Sequence, residues 1–311
     1  MRILILGAGG TGGYFGARLA QAGVDVTFLV RPGRAAQLQA HGLQIRSPRG
    51  DVDLPVQHVS AEALPALAAQ RPFELVILSC KAYDLDASIE AIAPAVGADT
   101  ALLPILNGLR HYPTLDARFG RERVLGGLCF ISATKGEAGE IRHLGKPASI
   151  IFGERDGAPD SVRVQAFAAA CAQAGIDHIA SPRIAQEQWI KYTFVCALAA
   201  ATCLARAPIG RIVASEDGRA FINGLYNECL IAADAAGEPI PLAAREKALL
   251  TLLHADSPMK ASMLRDLEAG QAVEAEQIVG DMLARVRETG RNAPWLMAAN
   301  VHLQAYQLAR F

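Results

Sequence analysis

Residues 1–31 read MRILILGAGGTGGYFGARLAQAGVDVTFLVR, and the reading of this stretch decides the fold. Arg2 to Leu6 is a short apolar run, the mark of a strand buried on both faces of a parallel sheet. It runs directly into Gly7-Ala8-Gly9-Gly10-Thr11-Gly12, a G-x-G-x-x-G turn. Tyr14 to Ala22 carries the small residues of a closely packed helix, and Val24 to Val30 reads as a second strand. Strand, glycine turn, helix and strand make one βαβ unit, the context that turns a weak glycine pattern into a dinucleotide fingerprint. Gly7 permits the tight turn, Gly9 lets a pyrophosphate approach the backbone, and Gly12 lets the helix pack close to the strand. The first N–H groups of the helix and its positive dipole end then face the phosphates.

The end of the second strand bears on which dinucleotide is held. An NAD site places Asp or Glu there to hold the ribose 2′-hydroxyl. This chain reads Val30-Arg31-Pro32-Gly33-Arg34, with no acid at the strand end. Two guanidiniums there suit a 2′-phosphate, which arginine grips with a planar fork. The expected cofactor is NADP (NADPH), held by Gly7, Ala8, Gly9, Gly10, Thr11 and Gly12, with Arg31 on the 2′-phosphate.

Outward from this unit, 311 residues suffice for two domains with separate cores, and 51% hydrophobic against 20% charged residues is a globular composition. The net charge of −1 gives no basic field to draw the chain to nucleic acid or an anionic membrane. The six cysteines lie scattered, mostly in apolar runs, and read as reduced core residues. No histidine pair has metal-ligand spacing, so no metal site is expected. Met1-Arg2 leads straight into the first strand with no signal peptide, which points to the cytoplasm. The longest uncharged apolar run, Tyr192 to Ala205, is too short to span a bilayer and reads as a core helix.

Helices are expected over 35–41, 61–69 and 84–95, the last with Asp84 as its N-cap. Strands are expected over 43–46, 52–56, 73–79 and 101–106. From Arg123 to Gly153 the pattern turns to alternating strands, VLGGLCFIS, EIRHL and ASIIFG, an antiparallel extension of the first domain. A helix over 160–174 and a strand over 176–179 complete it. Near Pro182 strand signals stop, and helices are expected over 184–206, 218–236, 241–254, 262–268, 274–289 and 294–308. The fold class is therefore α/β: a Rossmann-type NADP-binding domain over 1–182 followed by an all-helical substrate and catalytic domain over 183–311.

Ligands of doubly wound sheets bind outside the carboxyl ends of the strands. Lys81 and Asn107 sit at such ends; each reads equally well, taken alone, as a surface lysine or a turn-forming Asn-Gly pair. Lys191 lies where the polar opening of the first long helix meets its apolar run, a position from which an ammonium can donate a proton or simply snorkel. The charges of Asp266, Glu268 and Glu274 read as a solvated helix face.

Together these segments resemble the ketopantoate reductase (2-dehydropantoate 2-reductase) family. The shared features are the opening GAGGTG, the arginine after the second strand, Cys80-Lys81-Ala82-Tyr83, Asn107-Gly108, Trp189-Ile190-Lys191 and Lys260-Ala261-Ser262-Met263-Leu264-Arg265-Asp266, followed at family spacing by Glu274. They run in order from residue 7 to 274 and so cover nearly the whole chain. The resemblance implies Lys191 as the general acid that protonates the substrate carbonyl oxygen as hydride arrives. It implies Asn107 near nicotinamide and substrate, Lys81 near the cofactor, Glu274 near the nicotinamide ribose and Ser262 on the substrate carboxylate. A small 2-oxo acid is the implied substrate, in a monomer or homodimer of the pantothenate pathway.

The sequence departs from the family at one informative place. Val195 and Ala199 stand where members carry asparagines four and eight residues after the lysine, and Ile209 replaces the asparagine of a Pro-Asn-Gly turn. Met259 replaces another, three residues before the serine. Positions 191, 195 and 199 share a helix face, so the substrate side of that helix has become apolar. A substrate hydroxyl buried there unpaired costs roughly 1–3 kcal/mol, unless Asn223 or Asn227, which read more plainly as exposed helix polars, take over. Three readings stay open: 2-dehydropantoate reduction, reduction of a more apolar 2-oxo acid, and a non-catalytic NADPH-binding sensor, against which the retention of Lys191, Ser262 and Glu274 argues.

Overall fold

In the computed structural model, which describes residues 1–158 and 160–310, the first strand is the centre of a parallel sheet. The chain runs β1 (Arg2–Leu6), α1 (Gly10–Gln21), β2 (Asp25–Leu29), α2 (Pro32–His41), β3 (Leu43–Arg46), β4 (Val52–Leu54), β5 (Gln57–Val59) and α3 (Leu64–Gln70). It continues through β6 (Leu75–Leu78), α4 (Leu85–Ile92), β7 (Ala101–Pro104), α5 (His111–Phe119), β8 (Gly126–Lys135), β9 (Ile141–Gly153), α6 (Val162–Gln173) and β10 (Asp177–Ala180). The parallel order is β5-β2-β1-β6-β7, with Ile3 beside Val26 on one side and Leu75 on the other. Ile3, Leu4 and Ile5 are fully buried, as a strand covered on both faces requires. Pro104, which cannot donate to a ladder, is tolerated because β7 ends this order.

The expected antiparallel extension is a mixed sheet instead. β9 pairs antiparallel with β8 but parallel with β3 and with β10, while β3 and β4 are antiparallel. The two segments EIRHL and ASIIFG are one strand, not two. Their pairing with β8 jumps from Ala148–Ile131 to His143–Ala133, so residues 144–147 stand opposite Ser132 alone as a bulge and the strand resumes. Gln57–Val59, too short to read from its pattern, adds a fifth parallel strand beside β2.

The second region is helical: α7 (Ile184–Ala205), α8 (Ile209–Val213), α9 (Gly218–Ala235), α10 (Leu242–Leu252), α11 (Ser262–Glu268), α12 (Asp281–Glu288) and α13 (Pro294–Leu308). The chain divides into two compact units, Met1–Leu106 with His111–Ile184, and Asn107–Arg110 with Ala185–Phe311. A split at residue 182 keeps Asn107 with the sheet; the structure groups it with the helices, because Gly108 packs on their backbone. Each unit has its own apolar core. By length and composition α7 could cross a membrane, since the helix extends well before Tyr192, yet 72% of its apolar window is buried. Cys196, Ala197, Ala200 and Ala201 at its centre are wholly enclosed, which makes it the core helix of the second unit.

Candidate active site

The glycine turn forms because β1 must give way at once to α1. Gly7 takes φ +84°, and its N–H donates to the Leu29 carbonyl (2.9 Å), tying the turn to β2. Gly12 has no room for a side chain: a Cβ there would lie 2.2 Å from Ser79 Oγ and 2.8 Å from the Gly7 carbonyl oxygen. At Gly9, by contrast, an added Cβ would meet nothing within 4 Å. Gly9 is the N-cap residue of α1 and offers no capping side chain. A helix leaves its first N–H groups without partners along the chain, so open space beside a bare N-terminus fits a dinucleotide pyrophosphate.

The two guanidiniums after β2 have different surroundings. Arg34 donates through Nε to the Ala8 carbonyl (3.1 Å) and through Nη1 to the Gly139 carbonyl (2.7 Å) and Gln37 Oε1 (3.1 Å). It braces the glycine turn against the β8–β9 connection, and burial pulls its pKa down. Arg31 is the open one, 79% exposed, with Nη2 3.2 Å from Asp84 Oδ1. Asp84 occupies the expected N-cap position of α4, but its side chain caps no helix N–H and meets Arg31 instead. Half-buried Lys81 follows β6 and leads into a 3₁₀ turn over Ala82–Asp84.

In the helical unit, three expected segments gather around a feature no sequence pattern announced. Glu276–Gly280 is a single π turn running into α12, and such turns recur at functional sites. Gly108, at φ +76°, stands so close that a Cβ would lie 2.5 Å from the Gln277 carbonyl oxygen. Arg110 Nη1 donates to the Glu276 carbonyl (3.3 Å), fixing the Asn107 turn further. From α7 the Tyr192 hydroxyl lies 2.9 Å from both the Ile278 carbonyl oxygen and Asp281 Oδ2, and Arg285 Nε donates to the same carboxylate oxygen (2.8 Å). Burial and the Asp281 charge push the Tyr192 phenol well above its usual range. The π turn thus holds the turn bearing Asn107, the helix bearing Lys191, and the residues directly after Glu274. Lys191 and Glu274 are both buried.

Ser262 is exposed at the start of α11. Its neighbour Ala261 donates through N–H to Thr202 Oγ1 (3.4 Å) on α7. Thr202 is eleven residues after Lys191, about 16 Å along the helix axis, with Val195 and Ala199 between them. The Ile209 N–H donates to the Met259 carbonyl (3.0 Å) and the Gly210 N–H to the Ser257 carbonyl (2.9 Å). All four departures from the family asparagines therefore lie on α7 or on the two paired segments, one hung from it through Thr202. Ala199 and Ile209 are buried and Val195 half-buried. Asn223 spends its amide on the Arg219 carbonyl of its own helix (2.9 Å) and Asn227 is exposed, so both keep their plainer reading. Among the described residues, no group of three His, Cys, Asp or Glu is arranged to hold a metal.

The ketopantoate reductase PanE/ApbA pattern matches residues 3–157, and the pattern of that family's C-terminal domain matches residues 183–307. The chain belongs to the ketopantoate reductase family. As a ketopantoate reductase family member it is an oxidoreductase, with the nicotinamide cofactor and small-molecule substrate of that class. An uncharacterized oxidoreductase of Bacillus subtilis (strain 168), YkpB, is 38% identical over 99% of both chains. The crystal structure of 2-dehydropantoate 2-reductase from Geobacter metallireducens GS-15 is 31% identical, covers 98% of this chain and 99% of its own, and superposes with a TM-score of 0.87. A D-mandelate dehydrogenase solved with NADH and anilino(oxo)acetate has a TM-score of 0.85 at 19% identity, covering 100% of this chain and 99% of its own. At that identity the likeness is one of fold alone.

Proposed function

We propose that this family member is an NADPH-dependent 2-oxo acid reductase that converts 2-dehydropantoate to pantoate. The observation that carries the reading is Lys191, buried on α7 beside the π turn that also holds the Asn107 turn and adjoins Glu274. The sheet-bearing unit binds most of the dinucleotide, and the helical unit, which includes Asn107–Arg110, supplies the acid and the substrate contacts. When bound, reduced nicotinamide supplies a hydride to the keto carbon. The Lys191 ammonium gives its proton to the carbonyl oxygen, so hydride and proton together yield the 2-hydroxy acid. Until the proton moves, its charge stabilises the developing alkoxide. Ser262 hydroxyl and Asn107 amide orient the carboxylate and carbonyl, Glu274 takes the nicotinamide ribose, and Lys81 the cofactor side.

A second reading keeps this chemistry with a more apolar 2-oxo acid, favoured by Val195, Ala199 and Ile209 in place of three amides. Steady-state NADPH oxidation, followed by absorbance with 2-dehydropantoate beside branched-chain 2-oxo acids, separates the two. Fast turnover of 2-dehydropantoate at low KM supports the first; weak turnover beside a strong apolar substrate supports the second. NADPH binding with no oxidation by any acid overturns both and leaves a sensor.

The cofactor half has its own test. Charge-assisted bonds are worth about 1.5–3 kcal/mol, so Arg31→Ala should weaken NADPH roughly ten- to a hundredfold more than NADH in direct titrations. Equal loss for both would remove Arg31 from the 2′-phosphate.

A further inference from the structure

The sequence places no acid at the end of β2, but the fold delivers one. β2 and β6 flank β1 on opposite sides, and the segments after both lie against the glycine turn. On the β2 side, Arg34 Nε donates to the Ala8 carbonyl (3.1 Å); on the β6 side, Ser79 Oγ donates to the Leu6 carbonyl (3.0 Å). The Arg31–Asp84 pair, at 3.2 Å, joins the segments that follow these two strands. Asp84 forgoes the capping bonds open to an aspartate before a helix, and its carboxylate meets the guanidinium that the cofactor reading assigns to the 2′-substituent of the adenosine ribose.

We propose that Asp84 is a specificity-determining residue that sets the discrimination between NADPH and NADH; this rests on the reading of the glycine turn as a nicotinamide dinucleotide site. A carboxylate only accepts hydrogen bonds. It is a partner for the 2′-hydroxyl of NADH and repels a 2′-phosphate, which carries about −1.5 to −2 charges at neutral pH. Arg31 has the opposite preference. The pair is held weakly, since Arg31 is 79% and Asp84 37% exposed and exposed ion pairs are screened. Arg31 can therefore leave Asp84 for a phosphate, and Asp84 remains beside it as an opposing charge. The mixed pair admits both cofactors and narrows the preference that Arg31 alone would give.

The test is direct titration of the whole protein with NADPH and with NADH, read by nicotinamide fluorescence, for the unaltered chain, Asp84→Asn and Asp84→Ala. Removing one negative charge beside a phosphate should raise the NADPH-to-NADH affinity ratio about tenfold, and the gain should shrink in high salt. Asp84→Asn keeps the side-chain shape, so a matching change in both variants reports charge rather than fold. A ratio unchanged within about twofold in both variants overturns the proposal. If Arg31→Ala still lowers the ratio, that failure is confined to Asp84 and the cofactor reading stands. If the unaltered protein binds neither dinucleotide, the cofactor reading and the Asp84 role fall together.

Discussion

Lys191→Ala is expected to lower kcat for the best 2-oxo acid on the order of 10²–10⁴-fold, the usual worth of a positioned general acid. NADPH affinity should stay within about threefold, because on the proposed mechanism this lysine addresses the substrate oxygen and not the dinucleotide. Lys191 is buried, so alanine also leaves a gap, and Lys191→Met serves as the companion variant. Methionine keeps the aliphatic length without the proton, so both should lose turnover alike while methionine keeps more of the thermal stability. Single-turnover NADPH oxidation and a melting curve on each variant separate the two effects. Unchanged kcat in either variant would sink the assignment.

The second large effect is expected at the glycine turn, where two neighbouring positions should fail differently. Gly12→Ala drives a Cβ to 2.2 Å from Ser79 Oγ and 2.8 Å from the Gly7 carbonyl oxygen. Overpacking of this kind costs about 1–3 kcal/mol, a fall in Tm of roughly 2–10 °C for a chain of this size. The displaced start of α1 should also lose dinucleotide affinity by more than about tenfold. Gly9→Ala adds a methyl where nothing lies within 4 Å, so Tm should hold while binding falls. Calorimetry beside a NADPH titration reads both quantities. Equal behaviour of the two variants would mean that the open space at Gly9 is not where the pyrophosphate enters.

Much of the fold was legible because local and global preferences agree. Arg2–Leu6, Leu43–Arg46, Ser262–Glu268 and Pro294–Leu308 lie where pattern alone puts them. The failures share a cause: they were settled by partners distant in sequence. Gly145 and Pro147 look like a break between strands, yet the β8 ladder carries β9 past them through a bulge. Asp84 looks like a helix cap, yet the guanidinium 53 residues earlier takes its carboxylate. Glu274–Thr289 reads as one regular helix, but its start is a π turn whose carbonyls receive Arg110 and Tyr192. Candidate site residues were legible as isolated polar groups at strand ends or helix faces. What drew together the segments that carry Asn107, Lys191 and Glu274 was the π turn, met by Gly108, Arg110 and Tyr192 from parts of the chain distant in sequence, and no periodicity announces it.

The wide turn at Glu276–Gly280 also bears on how this chain can change in length. A π turn holds one residue more than the α-helical turn it replaces. Deleting one of these five residues would let the turn close to an α-helical one, and the segments on either side would keep close to their present faces. The loss would be local: the carbonyls that receive Arg110 and Tyr192, and the one opposite Gly108, would be drawn back into the helical ladder. The surplus residue is thus one that heredity could remove without turning the helix, but not without taking away the seat of the Asn107 turn.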